Sequence, residues 1–355
     1  MRHSGKPSLG RLTQFMKYGI INTSKRRTIG NGVDRNNIDE VAKAISALNL
    51  WKRTSKYNWA LVSELFDKPL IAVVNPAQNG PIMGRLMLFN GFVAHRDFQI
   101  FCQNQDLSFA LSPLDIDHYE VIGLKDGGAE VFDYRPGFVP VHPDADSAAR
   151  LAPVIYECYG LMMRFDEDPE LPVTFKDKGA MFARREGLDG RWTDVPLRPP
   201  NLDTLTWTER VGLDRAKCAK GARLDMEPDE AWEVEFVQVP AYRTGGKDAR
   251  MMFLFAAVDS KTGRRHVWQK LAVDAAVPRN GTLDALKPLW ESLAAHLLDG
   301  VLRRGKVPGS IHLRTQRMMR FLRPLGMQIP FKMVMHGQLP QVTSAINRAL
   351  LEHSI

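Results

Sequence analysis

The densest group of residues able to do chemistry is a run of arginines near the C-terminal end. Arg317, Arg320 and Arg323 recur every three residues, so on a helix they share one face, opposite the apolar Phe321 and Leu325. Four further cationic side chains precede them: Arg303, Arg304, Lys306 and Arg314. Such a strip can neutralise several phosphates, with binding that weakens as salt rises. We therefore predict that these seven residues form a nucleic-acid-binding surface; a solvated helix face is the alternative interpretation.

The net charge supports this partner only for part of the chain. The 355 residues carry a net charge of +8, but residues 1–33 hold seven basic side chains and no acidic one. Residues 301–355 hold nine basic side chains and one acidic one, which leaves the region between the two ends acidic. The basic character therefore points to a nucleic-acid partner through the C-terminal end rather than through the whole surface.

Motifs of the common enzyme classes are missing from the sequence. It has no GxSxG, GxxxxGK[ST], HExxH or GxGxxG pattern. His118-Tyr119-Glu120 contains the His-x-Glu of zinc deaminases, but no Pro-Cys-x-x-Cys follows to complete the ligand set. We therefore expect no resident metal and no cofactor, and we favour a protein that is not an enzyme.

Cysteine usage and hydropathy bear on location. Cys102, Cys158 and Cys218 are widely spaced and form no CxxC pair, as is typical of a reducing cytoplasm. No stretch reaches the roughly 18 apolar residues of a membrane span, so we expect no membrane partner. Residues 1–35 lack the apolar segment of a secretory signal and are predicted to be a flexible basic tail. An organellar presequence and an over-extended start are the alternatives for this tail.

The elements of residues 36–200 predict an N-terminal α+β domain with an antiparallel sheet. A helix is expected from Ile38 to Leu50, capped by Asn36 or Asn37, and a second one from Asp146 or Ser147 to Met163. Short apolar runs at 70–74, 83–89 and 98–101 predict strands, divided by the turn dipeptides Asn79-Gly80 and Asn90-Gly91. Further hairpins are predicted at 119–134 and 180–197. Pro199-Pro200 stiffens the chain, and we place a domain boundary there.

Residues 201–355 predict a second domain with the element order βββαβαβα. Its three leading strands are expected at Trp232–Val239, Met251–Val258 and Arg265–Val273. They are followed by a helix starting near Pro288, a strand at Ser310–Leu313, a helix at Gln316–Leu325, a strand at Met327–Val334 and a helix at Pro340–Leu351. The fold class predicted for the whole chain is therefore α+β.

The second domain resembles the ribonuclease H-like fold of integrase and transposase cores. The resemblance lies in Trp232-Glu233-Val234-Glu235, in residues 253–263, and in the helix, proline, strand and helix around residues 305–311 and 321–327. It implies a sheet on which carboxylates from different strands hold paired divalent metal ions for phosphoryl transfer. Glu235 and Asp259 are the candidate catalytic residues under that implication, with Mg²⁺ as the cofactor.

The set of carboxylates that this chemistry needs is incomplete in the sequence. Residues 311–316, in and directly after the predicted strand, offer no acid where a second ligand belongs and include Arg314, which would repel Mg²⁺. We therefore expect a degenerate ribonuclease H-like domain that binds without catalysing. The alternatives are a divalent-metal-dependent nuclease or integrase-like enzyme using Glu235 and Asp259, and a protein-interaction module.

A second resemblance extends over most of residues 37–355. The helix after Phe138-Val139-Pro140 and the Leu339-Pro340 pair before the last helix are similar to a group of bacterial two-domain proteins of unknown function. That resemblance implies the two-domain order and no particular activity.

Overall fold

The computed structural model describes residues 33–77, 80–105, 108, 110–202, 212–243, 249–277 and 283–352. The predicted basic tail, residues 1–35, lies almost entirely outside this described part. Asp34–Ile355 form one compact unit. Within the described residues, no helix has both the length and the apolar character needed to cross a bilayer.

Helices and groups of consecutive strands are interspersed along the chain. The described helices are α1 (Ile38–Leu48), α2 (Trp51–Thr54), α3 (Phe92–Gln103), α4 (Ala145–Glu167), α5 (Arg215–Gly221), α6 (Lys287–Arg304), α7 (Gln316–Gly326) and α8 (Pro340–Leu351). The described strands are β1 (Asn58–Val62), β2 (Leu70–Pro76), β3 (Ile82–Asn90), β4 (His118–Leu124), β5 (Ala129–Tyr134), β6 (Met181–Glu186), β7 (Trp192–Leu197), β8 (Met226–Arg243), β9 (Arg250–Asp259), β10 (Arg265–Leu271), β11 (Val307–Leu313) and β12 (Lys332–Met335). The α+β class predicted from the sequence is confirmed.

The first sheet has seven strands in the order β5-β4-β3-β2-β1-β6-β7. Its neighbours are antiparallel except β1 and β6, which pair in parallel. The prediction of a purely antiparallel sheet was therefore wrong in one pairing. The cause is α4, a long crossover that returns the chain to the β1 edge in the same direction, as parallel pairing requires. The predicted hairpins β4–β5 and β6–β7 are confirmed.

One predicted strand is a helix. Phe98 and Phe101 belong to α3, and Gly91, with φ of 91°, stands directly before that helix instead of turning a hairpin. Short apolar runs do not by themselves separate a strand from a buried helix. Here Ala94, Phe98 and Phe101 lie on the face that packs against the first sheet, which decides in favour of the helix. Asn79, the other expected turn residue, lies outside the described residues.

Helix boundaries follow the capping residues. The Asn37 side chain accepts hydrogen bonds from the backbone of Asp39 and Glu40, which confirms the predicted start of α1. The longer helix α4 starts earlier than predicted, because Asp144 rather than Asp146 caps it by accepting from the Ser147 N–H.

The second sheet has five strands in the order β10-β9-β8-β11-β12. The three leading strands are antiparallel neighbours, whereas β11 pairs in parallel with both β8 and β12. From β8 onward the elements follow the predicted order, with β12 shorter than expected. Because β8 is the central strand of this sheet, its side chains contribute to the packing on both faces of the sheet.

The two faces of the second sheet are covered by different helices. Trp232, Val234 and Phe236 of β8 share a core with apolar residues of α6 and α7. On the other face, residues of β9 such as Leu254 pack against Val342 of α8. The alternation of β8 therefore leaves Glu233 and Glu235 on the α8 face, where both are buried.

The two sheets share structure across the predicted domain boundary. All strands of the first sheet precede Pro199 and all strands of the second follow it. Phe138, which follows β5, is nevertheless fully buried in the core of the second sheet. The backbone beside it bonds to the start of β9: the Val139 N–H donates to the Ala249 carbonyl and the Met251 N–H donates to the Gly137 carbonyl, each over 2.9 Å. The segment 137–139 therefore fastens the first half of the chain to the second.

Close packing in the first half depends on two glycines. The buried ring of Trp51 lies across Gly84 of β3 and Gly123 of β4, and a Cβ at Gly123 would stand 2.5 Å from a ring carbon. A Cβ at Gly84 would overlap the same ring. These strands therefore accept no side chain beneath the indole.

We expect Gly84→Ala to lower the free energy of unfolding by about 1–3 kcal/mol, because the added methyl must displace Trp51. Gly160→Ala is the matched control, since a Cβ there meets no atom within 4 Å inside α4; it should raise stability by about 0.5–1 kcal/mol. Urea unfolding measures both. Equal effects of the two substitutions would contradict the packing described for Trp51.

Candidate functional site

A cleft lies where the carboxyl end of β11 meets α8. Its volume is about 680 Å³, and we call it the α8 cleft. It is lined by Arg314, Gly337, Gln338, Leu339, Pro340, Thr343, Ser344, Asn347, Arg348 and Leu351. The lining offers guanidinium, hydroxyl and amide groups, and none of these described lining residues is acidic. The cleft is therefore chemically suited to anionic groups.

Arg314 stands at the edge of the α8 cleft and is held by Glu235. Its Nε lies 2.9 Å from Oε2 of Glu235, and its Nη2 donates to the Thr343 hydroxyl over 2.8 Å. The Glu235 side chain is 6% exposed, so the ion pair is sheltered on the carboxylate side. A carboxylate held by a guanidinium at this distance has its negative charge compensated by protein, which leaves it poorly placed to bind Mg²⁺.

Glu233 has a structural partner as well. Its Oε2 accepts the backbone N–H of Val342 over 2.9 Å, in the first turn of α8. A carboxylate at a helix N-terminus is stabilised by the N–H groups that have no partner within the helix and by the helix dipole. Leu339, the residue before α8, makes no side-chain capping bond. Glu233 of β8 therefore provides the hydrogen-bond acceptor that a capping residue would otherwise provide.

Two histidines stack beside these carboxylates. The rings of His312 on β11 and His336 after β12 are 4.4 Å apart, and the Ser310 hydroxyl lies 3.0 Å from Nε2 of His312. Burial lowers the pKa of His312, and the neighbouring His336 lowers it further. This imidazole is therefore neutral at physiological pH and offers hydrogen bonding rather than charge.

The two candidate catalytic acids do not meet. Glu235 lies on the α8 face of the second sheet, while Asp259 follows Val258 at the end of β9 and lies on the opposite face, near Glu230 and His266. A pair of metal ions bridging Glu235 and Asp259 would have to span the sheet. The distance between Glu235 and Asp259 along the sequence could not show that they lie on opposite faces, because the face of each residue depends on the strand register.

The seven predicted nucleic-acid-binding residues are divided among different places. Arg304 and Lys306 both form ion pairs with Glu227, the first over 3.2 Å, and Arg303 donates to the His266 carbonyl. These three lie near the start of β11, whereas Arg314 lies just beyond its end, about 20 Å away for a seven-residue strand. They therefore do not form one continuous surface with Arg314.

Arg317 is a structural residue rather than part of an open surface. Its guanidinium reaches into the first half of the chain, where Nη1 donates to the carbonyls of Ala110 over 2.6 Å and Ser108 over 3.3 Å. Its role in nucleic-acid contact stays a prediction. Arg320 and Arg323 on α7 are exposed, as expected for the solvated face of that helix.

Two residues of the cleft were missed by reasoning from sequence. Arg348 belongs to the basic C-terminal end but not to the seven predicted binding residues, and Asn347 carries no sequence motif. The signal that could have found them is the spacing of four between Thr343 and Asn347 and between Ser344 and Arg348, which places polar groups along one side of α8. That signal becomes meaningful only once Arg314 is known to face the same side.

Comparison with known proteins adds no further constraint. No protein family, curated protein or solved structure matches this chain. The function is therefore inferred from the geometry of the chain itself.

A buried acid lies beside Arg317. Asp115 accepts the N–H groups of Leu111 and Ser112. Burial raises its pKa to about 7; those two hydrogen bonds and the charge of Arg317 act in the opposite direction, and Asp97 adds to the rise. The folded protein therefore holds a proton on Asp115 at pH values where the unfolded chain has released it.

We expect stability to fall as pH rises from about 4 to about 7, because the folded state binds more protons than the unfolded state in that window. Asp115→Asn should flatten this part of the profile, as measured by urea unfolding between about pH 5 and about pH 7.5. Asp39→Asn, an exposed acid in the first turn of α1, is the control and should keep the slope. An unchanged slope in Asp115→Asn would rule out this origin.

Proposed function

We propose that the second half of the chain is a degenerate ribonuclease H-like domain that binds nucleic acid through the α8 cleft without cleaving it. The observation that carries the proposal is the pair Arg314–Glu235 at the end of β11, next to a cleft that also presents Arg348. An arginine here turns a position suited to metal-binding carboxylates into one suited to phosphate.

The strand arrangement supports the ribonuclease H-like part of the proposal. Three antiparallel strands are followed by two strands added in parallel beside the first, giving the order 3-2-1-4-5 within the second sheet. The resemblance to that fold implies that metal-binding carboxylates from different strands, the first and the fourth among them, lie together. Arg314 and Glu235 occupy that neighbourhood here.

The chemistry of the cleft supports binding over catalysis. Glu235 is engaged by Arg314 and Glu233 by the first turn of α8, so neither acid is presented to a divalent ion. Phosphodiester groups suit the remaining donors, because guanidinium, hydroxyl and amide groups all donate hydrogen bonds to phosphate oxygens. Arg348 is exposed and adds a second positive charge to a cleft whose described lining residues include no acid.

Binding should be measured with fluorescently labelled single-stranded DNA and RNA over a range of salt concentrations. We expect wild-type binding to weaken as salt rises, and Arg348→Ala to lower the log–log slope by about 0.7–0.9 for each phosphate that the variant no longer neutralises. Arg265→Ala is the control, because Arg265 is an exposed cation on β10, at the opposite edge of the sheet. Its slope should equal that of the wild type.

Two results would overturn the binding proposal. Absence of binding to either nucleic acid at about 50 mM salt, where electrostatic contacts are strong, would remove it entirely. Equal slopes for wild type and Arg348→Ala would remove the α8 cleft as the binding surface.

The nuclease alternative makes a different prediction. Incubation of the same oligonucleotides with Mg²⁺ or Mn²⁺ should leave them intact, because Arg314 already compensates the charge of Glu235. Arg314→Met releases Glu235, and the protein should still not cleave, since Asp259 lies on the other face of the sheet. Metal-dependent cleavage by the wild type that Glu235→Gln abolishes would establish the enzyme instead.

A further inference from the structure

A second polar cluster lies on the α6 face of the second sheet, away from the α8 cleft. It consists of Glu230 on β8, Asp259 at the end of β9 and His266 on β10. One ligand atom from each residue lies within 4.8 Å of the other two. Across the described part of the chain, this is the group of His, Cys, Asp and Glu side chains whose geometry suits a metal ion. Three neighbouring strands thus deliver one nitrogen and two carboxylate groups to one point.

Two atoms of this cluster are buried without a hydrogen-bond partner. The side chain of His266 is 5% exposed and that of Glu230 is 9% exposed. Nε2 of His266 and Oε2 of Glu230 are both inaccessible to solvent and lack a hydrogen-bond partner among the residues that the structure describes; the nearest carboxylate oxygen to Nε2 is Oε1 of Glu230, at 3.6 Å. Buried polar atoms in folded proteins are nearly always satisfied, so an unsatisfied pair at one point is the pattern expected where a water molecule or an ion binds.

The surrounding residues orient the cluster. Trp232 stacks on the His266 ring at 4.1 Å with an angle of 8° between the planes, and its Nε1–H donates to Oε1 of Glu230 over 3.0 Å. Oδ1 of Asp259 accepts from the Thr262 N–H over 2.6 Å and from the Lys261 N–H over 3.1 Å. Contacts of this kind, made by the atoms that do not bind the ion, fix ligand geometry in metal sites.

The chemical types of the three side chains suit a metal ion. An imidazole nitrogen and carboxylate oxygens are donor groups that divalent transition metals take from proteins. The Nε of Arg304 lies 3.5 Å from Oε1 of Glu230, a longer separation than the 2.9 Å between Arg314 and Glu235, and it is not directed at Oε2, the Glu230 oxygen without a hydrogen bond among the described residues.

We propose that Glu230, Asp259 and His266 bind a divalent transition-metal ion, with Zn²⁺ as the ion that best fits one imidazole nitrogen and two carboxylates. Mg²⁺ and Ca²⁺ prefer ligand sets made of oxygen alone. The ion joins β8, β9 and β10, with water completing its coordination, and it clamps the hairpin between β9 and β10. The site lies on the opposite face from the α8 cleft and is independent of nucleic-acid binding.

The test is titration of chelator-treated full-length protein with Zn²⁺ by isothermal calorimetry. We expect one Zn²⁺ per chain, and an affinity at least about 10-fold weaker in Glu230→Gln and in Asp259→Asn. Zn²⁺ at the same concentration should raise the unfolding temperature of the wild type more than that of either variant, because a ligand that binds only the folded state stabilises it in proportion to how far its concentration exceeds the dissociation constant. Mg²⁺ at the same concentration should do neither.

Controls separate this site from other histidines. His336→Gln alters the stacked pair of His312 and His336, two imidazoles outside the cluster, and should bind Zn²⁺ as the wild type does. Circular dichroism and unfolding without metal establish that each variant folds. His266→Gln provides a further check, since the visible absorption of Co²⁺ bound in place of Zn²⁺ should disappear with the imidazole. Stoichiometric binding unaffected by Glu230→Gln and Asp259→Asn, binding abolished by His336→Gln, or no binding by the wild type would each overturn the proposal.

Discussion

The alternation of side chains along β8 is the constraint on which the rest of the second half depends. Because successive residues point to opposite faces, placing Trp232, Val234 and Phe236 against α6 and α7 forces Glu233 and Glu235 to the other side. A shift of one residue would bury both acids in the apolar core. The apolar contacts of three large side chains therefore determine where the charged residues of this strand lie.

Two buried carboxylates on one strand must then be compensated. Removing a charge from water is costly unless it is paired or hydrogen-bonded, and each acid has a different solution. Glu235 takes Arg314 from the next strand, and Glu233 takes the first turn of α8. These contacts position both the helix and the arginine that border the α8 cleft. The same two contacts that hold this region together remove its acids from metal chemistry.

The attachment of the two sheets explains why the basic strip predicted from sequence is divided. Arg317 projects from α7 into the carbonyls of the segment before β4, close to the buried Asp115. Phe138 projects in the opposite sense, from the first half of the chain into the second core. Each of these two side chains is inserted into the other half of the chain. Arg317, which a helical wheel places on the exposed face of α7, therefore forms hydrogen bonds inside the protein.

Much of the fold was accessible from sequence. Periodicity and turn residues predicted β4–β5, β6–β7 and every strand and α-helix from β8 to α8, because these segments are strongly amphipathic or bounded by glycine, proline or a capping residue. The strand prediction at residues 98–101 failed because a short apolar run suits a strand and a helix equally well. The parallel pairing of β1 with β6 was missed because it joins strands more than a hundred residues apart and leaves no local signal.

The candidate sites show the same division. The sequence by itself determined the concentration of positive charge near the C-terminal end, the shortage of acids around Arg314 and the helical stripe of α7. Only the tertiary structure decided that Arg314 pairs with Glu235, that Arg348 shares its cleft, and that Glu230, Asp259 and His266 converge. Composition and periodicity are properties of neighbouring residues, whereas ion pairs and ligand clusters depend on strand register and sheet order, which bring distant residues to within a few ångströms.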